Sequence, residues 1–112
     1  MMKRWGTIIV LGVWIGAVCS PVSWAAEAKA GKATYDKLCT SCHGADGKGN
    51  PAMAKALGEK GLNLTSPEAV KMGDEEALKV ITEGRGKMPA SGKSLSKQEQ
   101  KQLLDYIRSL VK

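Results

Sequence analysis

The sequence predicts an all-α fold, and three observations support this fold class. Helix N-terminal signals recur, with Ser66 directly before Pro67 and a capping box running from Ser96 to Glu99. Apolar residues in the closing stretch LLDYIRSLVK recur at spacings of three and four, as they do on one face of an amphipathic helix. We find no pair of alternating apolar runs joined by a short turn, so the sequence does not predict a β-hairpin.

An N-terminal leader precedes the predicted helices. Residues 1–4 include two basic side chains, residues 5–19 are uncharged and mostly apolar, and Ser23 and Ala25 are small. This order predicts a secretory signal peptide at 1–25 that is cleaved after Ala25. A retained membrane anchor needs roughly 20 apolar residues, whereas this run is shorter and is followed by Ser-Pro.

An alternative for the leader is a lipoprotein signal in which Cys19 is lipidated. The sequence GAVC lacks the leucine and the small residue that are expected before such a cysteine, so we favour cleavage after Ala25. We therefore expect an exported protein, periplasmic in a bacterium, with no membrane span after cleavage.

The domain predicted at 26–112 has few large apolar side chains. All three tryptophans leave with the signal peptide, and Tyr35 and Tyr106 are the aromatic residues that remain. Domains of this size commonly need a disulfide, a metal or another staple, and a large apolar cofactor would serve the same purpose. Loss of Lys3 and Arg4 reduces the 17 basic residues to 15, against 11 acidic ones, which is a net charge of +4.

Helix signals and loop signals alternate along this domain. Gly73 and Gly84 stand where two helices are expected to end. The segments 44–51 and 84–95 are rich in glycine and are long for connections in a small domain, which is typical of functional loops. The predicted helical segments are, in order, 28–38, a short turn at 52–57, 66–73, 74–84 and a last helix that opens at Ser96.

The sequence CTSCH, from Cys39 to His43, is the strongest chemical motif. A structural zinc site needs four ligands, typically Cys or His, and the mature chain offers only Cys39, Cys42 and His43. A thioredoxin-like dithiol belongs between a strand and a helix, but here the motif follows a predicted helix. CxxCH is the signature of c-type haem attachment. We therefore predict one haem c, bound through thioethers to both cysteines, with His43 as an iron ligand.

The second axial ligand of the iron has three candidates, Met53, Met72 and Met88. Any methionine can simply fill the core, and Met72 falls in the last turn of a predicted helix. Met53 lies only ten positions after His43, which is close for a ligand on the opposite haem face. Met88 lies in the loop GRGKMPASGK between two helices and is the favoured ligand.

Three stretches of the sequence, GKATYDKLCTSCHG, GRGKMP and LLDYIRSLVK, together resemble a short bacterial class I cytochrome c. This resemblance implies the cytochrome c fold, with short helices and loops wrapped around one covalent haem. It also implies that the first and last helices cross near Gly31, Tyr35 and Tyr106. The family uses a proline carbonyl to accept a hydrogen bond from Nδ1 of the ligand histidine, and Pro51 is the residue that matches.

The sequence departs from the family pattern in two respects. The last helix lacks the Phe or Trp that is often found there, and no tryptophan or matching histidine marks a partner for a haem propionate. Arg85 and Lys87 are the candidates for propionate contacts.

Histidine and methionine together fill both axial positions of the iron, so we expect electron transfer and no enzymatic activity. The alternatives are a haem-bearing subunit of a periplasmic dehydrogenase or reductase, and a haem gas or redox sensor. We expect a monomer that meets redox partner proteins and binds no nucleic acid. The lysines expected near the haem edge either steer docking onto an acidic partner surface or only solvate the protein; they are Lys48, Lys55, Lys87 and Lys93.

Overall fold

The computed structural model describes residues 12–13, 16–17 and 24–111, and its secondary structure is helical. The described residues contain one isolated antiparallel bridge, between Arg85 and Met88, and no longer strand. The all-α fold class is therefore confirmed. The helices are α1 (Trp24–Leu38), α2 (Thr40–His43), α3 (Pro51–Leu57), α4 (Pro67–Lys71), α5 (Asp74–Glu83) and α6 (Lys97–Ser109).

The predicted leader lies mostly outside the described residues, as does Cys19 of the lipoprotein alternative. Helix α1 begins at Trp24 and not at residue 28, so the predicted cleavage after Ala25 falls at the start of this helix. Cleavage at this position stays a prediction. Over the residues that the structure describes, no helix has the length and apolar character required to cross a membrane.

Side-chain caps define the starts of α4 and α6 as the sequence predicts. Ser66 Oγ accepts a hydrogen bond from the backbone N–H of Ala69 at 3.2 Å. The Ser96 hydroxyl accepts from the backbone N–H of Glu99, and the Glu99 carboxylate accepts from that of Ser96. Helix α4 is shorter than predicted, because it ends at Lys71, and the glycine at 73 is the N-cap of α5.

The crossing of α1 and α6 forms the centre of the core. Gly31 is buried there, and a Cβ atom at this position would collide with the backbone carbonyl of Gln102. The rings of Tyr35 and Tyr106 meet beside it, with centroids 5.3 Å apart. Tyr35 and Leu103 are fully buried. These contacts confirm the crossing that the family resemblance implies.

Arg108 joins α6 to the junction between α4 and α5. Its guanidinium donates to the backbone carbonyls of Ala69 and Met72 and contacts the Asp74 carboxylate at 3.3 Å. The Ala69 carbonyl also accepts from the backbone N–H of Met72 at 3.3 Å, so the arginine adds a second donor there. It also reaches the carbonyl of Met72, the C-cap residue of α4. These contacts hold the start of α5, the helix that leads to the loop at 84–95.

We predict that Gly31→Ala destabilises the holoprotein by about 3 kcal/mol, because the new methyl group must displace the backbone of α6. Thermal unfolding followed by circular dichroism measures the change. The control is Gly73→Ala, where no atom of a described residue beyond the two chain neighbours lies within 4 Å of the added Cβ. Equal losses in the two variants would show that helix crossing at Gly31 is not tight.

Candidate functional site

The two thiols of the CTSCH motif lie on one tight turn that continues from α1. The backbone N–H of Cys39 donates to Tyr35 O, and Cys39 O accepts from the N–H groups of Cys42 (3.2 Å) and His43 (2.9 Å). Cys39 is buried, Cys42 is half-buried, and neither forms a disulfide. Burial raises the pKa of the Cys39 thiol to about 11, with a smaller effect from Cys42, so this thiol is neutral at pH 7.

His43 is buried, with 6% of its surface exposed, and its Nδ1 atom lies 2.8 Å from the Leu62 carbonyl oxygen. A carbonyl oxygen only accepts, so Nδ1 carries the proton in this contact. In the neutral imidazole, the other ring nitrogen, Nε2, then keeps its lone pair. A neutral imidazole oriented through its second nitrogen is the form in which histidine binds metals.

The partner of His43 differs from the prediction, which assigned this role to the Pro51 carbonyl. Pro51 is exposed and is the first residue of α3, so its carbonyl points along the helix as an intrahelical acceptor. The chain instead turns back after α3, and the carbonyl of Leu62 reaches the imidazole. No residue-type signal could have identified Leu62, because the group involved is backbone.

The loop at 44–50 folds back over the CTSCH turn. The Tyr35 hydroxyl donates to the Gly44 carbonyl at 2.6 Å, which links the α1–α6 core to the residue after His43. Burial raises the pKa of this hydroxyl, so it stays protonated as a donor. Gly49 and Asn50 donate to carbonyls within the turn. The sequence predicts Tyr35 only at the helix crossing and gives no signal that marks Asn50 as a site residue.

Met88 lies in a short hairpin after α5. The backbone N–H and carbonyl groups of Arg85 and Met88 pair at 3.1 and 2.9 Å. Gly84 has a φ of +78°, and a Cβ there would lie 2.6 Å from Met88 O, so the turn requires glycine. The N–H of Gly92 donates to Ile81 O at 2.9 Å and fastens the far end of the loop to α5.

Burial does not separate the three candidate methionines, since Met53, Met72 and Met88 are all half-buried. Met53 lies within α3, and Met72 is the C-cap of α4. Met88 alone belongs to a loop that is held at both ends. The pairing of His43 with Met88 stays a prediction.

The predicted propionate partners lie at the same hairpin. Arg85 pairs with Glu76 of α5 at 3.0 Å, and both side chains are exposed. Lys87 is also exposed, one residue before Met88. The structure thus gives Arg85 a partner within the protein, which the sequence prediction did not include.

The donor set at CTSCH fits a covalently attached haem. Two unbridged thiols lie on one turn, and the adjacent imidazole keeps Nε2 available. The three groups all come from the five residues of this motif, whereas a second iron ligand must come from elsewhere in the chain.

We predict that Tyr35→Phe lowers the free energy of unfolding of the holoprotein by about 1–2 kcal/mol, because the hydroxyl bond to the Gly44 carbonyl is lost in a buried setting. Denaturant titration measures the loss. Tyr106→Phe keeps the ring–ring contact and serves as the matched control. An equal loss in both variants would show that the Tyr35 hydroxyl contributes no more to stability than the Tyr106 hydroxyl.

Comparison with known proteins places this site in a known family. The family model described as cytochrome c oxidase, cbb3-type, subunit III matches residues 26–107. The cbb3-type cytochrome c oxidase subunit CcoP of Azospirillum brasilense is 36% identical over 88 residues, which cover 77% of this chain but 29% of that protein. The chain therefore spans less than a third of this relative's length.

Two small relatives match over nearly their whole length. Cytochrome c-554(547) of Halothiobacillus neapolitanus is 36% identical over 92 residues, covering 77% of this chain and 99% of the relative. Cytochrome c6 of Rippkaea orientalis is 31% identical over 109 residues, covering 95% of this chain and 92% of the relative. No solved structure matches the chain significantly.

Proposed function

The chain belongs to the cytochrome c family described as subunit III of the cbb3-type cytochrome c oxidase, and on this premise we propose that it carries single electrons between redox partners. Membership implies a covalently bound haem c with iron. The observation that carries the proposal is the CTSCH turn, where two free thiols adjoin an imidazole whose Nδ1–H is held by the Leu62 carbonyl.

Each residue of the site has a distinct task in this proposal. Cys39 and Cys42 would hold the haem through thioethers, and Nε2 of His43 would bind the iron. When bound, haem c would supply an iron that can gain and lose one electron. Leu62 keeps the proton on Nδ1 and so keeps the imidazole in one orientation. Met88 would supply a soft thioether sulfur, a ligand that raises the reduction potential.

A carrier has no need of a catalytic residue, and we assign none. If His43 and Met88 both bind the haem iron, they would leave it no site for an exchangeable ligand. The protein then contributes rigidity, since a ligand set held in place changes little when an electron arrives or leaves. The anchored ends of the 84–95 loop and the contacts around His43 support this role.

A haem-bearing subunit of a larger periplasmic redox enzyme is the second candidate. The match to CcoP and to the cbb3-type subunit FixP of Azorhizobium caulinodans favours it, but the matched region is only 29% and 27% of those proteins. Near-complete coverage of cytochrome c-554(547) and cytochrome c6 favours the free carrier.

Export and docking complete the proposal. The leader at 1–25 directs the chain out of the cytoplasm, and haem attachment follows there. Lys48, Lys55, Lys87 and Lys93 are all exposed and are available to meet an acidic partner surface. Such contacts act mainly on the rate of encounter and are weakened by salt.

We predict that Met88→Ala abolishes the absorption band of the methionine–ferric iron bond and allows reduced protein to bind carbon monoxide rapidly at neutral pH, because an axial position opens. A pyridine haemochrome assay on the same samples gives the haem type and one haem per chain. Met53→Ala and Met72→Ala are the matched controls and keep the band.

Two outcomes would contradict this assignment. If Met53→Ala or Met72→Ala removes the band and Met88→Ala does not, the ligand is misassigned. If the wild-type protein lacks the band and binds carbon monoxide rapidly, the protein is a sensor or catalyst and not a simple carrier.

We predict that the reduced protein is oxidised more slowly by the anion hexacyanoferrate(III) as ionic strength rises, because local positive charge attracts the oxidant. At low salt, the double substitution Lys48→Gln/Lys87→Gln should lower this oxidation rate about threefold. Stopped-flow absorption measures the rates. The control is Lys29→Gln/Lys101→Gln, which removes the same charge from α1 and α6. Equal effects of the two pairs would mean that these lysines only contribute to net charge.

A further inference from the structure

We propose that Asn50 is a positioning residue for the haem-binding turn, holding the backbone on which Cys42 and His43 are mounted. This inference rests on the proposed attachment of haem at Cys39, Cys42 and His43. The observation behind it is a set of hydrogen bonds through which Asn50 joins the end of α2 to the start of α3.

Helix α2 is a single turn of four residues and cannot maintain its own shape. The last carbonyls of any helix lack intrahelical partners. In α2 the Thr40 carbonyl is satisfied by the N–H of Gly44 at 2.9 Å. Three carbonyls remain, those of Ser41, Cys42 and His43, and each needs a donor from outside the helix.

Asn50 and its neighbour supply all three donors. The side-chain amide of Asn50 donates from Nδ2 to Ser41 O at 3.1 Å, and its backbone N–H donates to Cys42 O at 3.0 Å. The N–H of Gly49 donates to His43 O at 2.7 Å. Only the Asn50 amide among these donors is a side chain, so it is the one that substitution can remove directly.

The other end of the same side chain caps α3. Oδ1 of Asn50 accepts from the N–H of Ala52 at 3.0 Å, and Pro51 occupies the first helical position. Asp and Ser cap helices about as well as Asn, but neither has an amide donor. Asparagine can therefore both cap α3 and donate to the Ser41 carbonyl. Capping by itself would be served equally well by Asp or Ser.

The two bonds from Asn50 fix the peptide planes before and after Cys42. The Ser41 carbonyl belongs to the peptide group that precedes Cys42, and the Cys42 carbonyl belongs to the one that precedes His43. Holding both groups limits rotation of the backbone at Cys42 and sets the direction in which His43 leaves the chain. The Leu62 carbonyl then fixes the rotation of the imidazole itself.

The test compares ferric holoprotein of wild type and Asn50→Asp by proton NMR, because the haem methyl shifts report the orientation of the axial imidazole. Asn50→Asp keeps the acceptor for Ala52 and loses the donor to Ser41. We expect an altered methyl shift pattern and about fivefold faster amide exchange at Gly49 and at position 50. The thermal midpoint should stay within about 3 °C of wild type.

Ser66→Ala is the matched control, because Ser66 caps a short helix that also begins with proline and lies outside the turn. We expect it to lower the midpoint and to leave the haem methyl shifts unchanged. Asn50→Ser repeats the test without adding charge. If Asn50→Asp yields no holoprotein, the result for Asn50→Ser decides whether the proposal holds. Unchanged shifts in Asn50→Ser, or equal shift changes in Ser66→Ala, would overturn the proposal.

Failure of the carrier function would be seen separately. A wild-type protein without methionine ligation would overturn the proposed function, while the comparison of variants would still report on His43. If the wild-type absorption spectrum shows the methionine band but substitution of Asn50 leaves the haem methyl shifts unchanged, only the positioning role is overturned.

Discussion

The buried hydroxyl of Tyr35 is the interaction on which the arrangement of the site depends. Its ring packs into the crossing of α1 and α6, while the hydroxyl donates to the carbonyl of Gly44, directly after the histidine. The helix crossing is close because Gly31 has no side chain. Tyr35 thus connects the core directly to the CTSCH turn. A core with few aromatic residues makes this single buried contact more important.

Around that contact, the site is built mainly from backbone hydrogen bonds. The carbonyl of Leu62 orients the imidazole, and the segment at Gly49 and Asn50 closes the exposed end of α2. The hairpin that carries Met88 is likewise held by backbone pairing, with a glycine where the turn requires it. Such bonds suit a site that should move little on gain or loss of an electron, since backbone groups have less freedom than long side chains.

Most of the helices could be predicted because their signals are local. Ser66 and Ser96 cap the helices that follow them, as their neighbours in sequence indicate. The start of α1 was placed four residues late, because the residues up to Ala25 were assigned to the predicted leader. The partner of His43 was assigned to Pro51, which the structure shows exposed at the start of α3.

The sequence by itself determined the chemistry that the chain can offer: two thiols and one imidazole in a CxxCH turn, and a methionine in a glycine-rich loop. It did so because side-chain chemistry and short spacings are local properties. The tertiary structure decided that Leu62 holds the histidine, that Arg85 pairs with Glu76 and that Asn50 serves two helices at once. Every residue has a backbone carbonyl, and only the path of the folded chain selects which one reaches the imidazole.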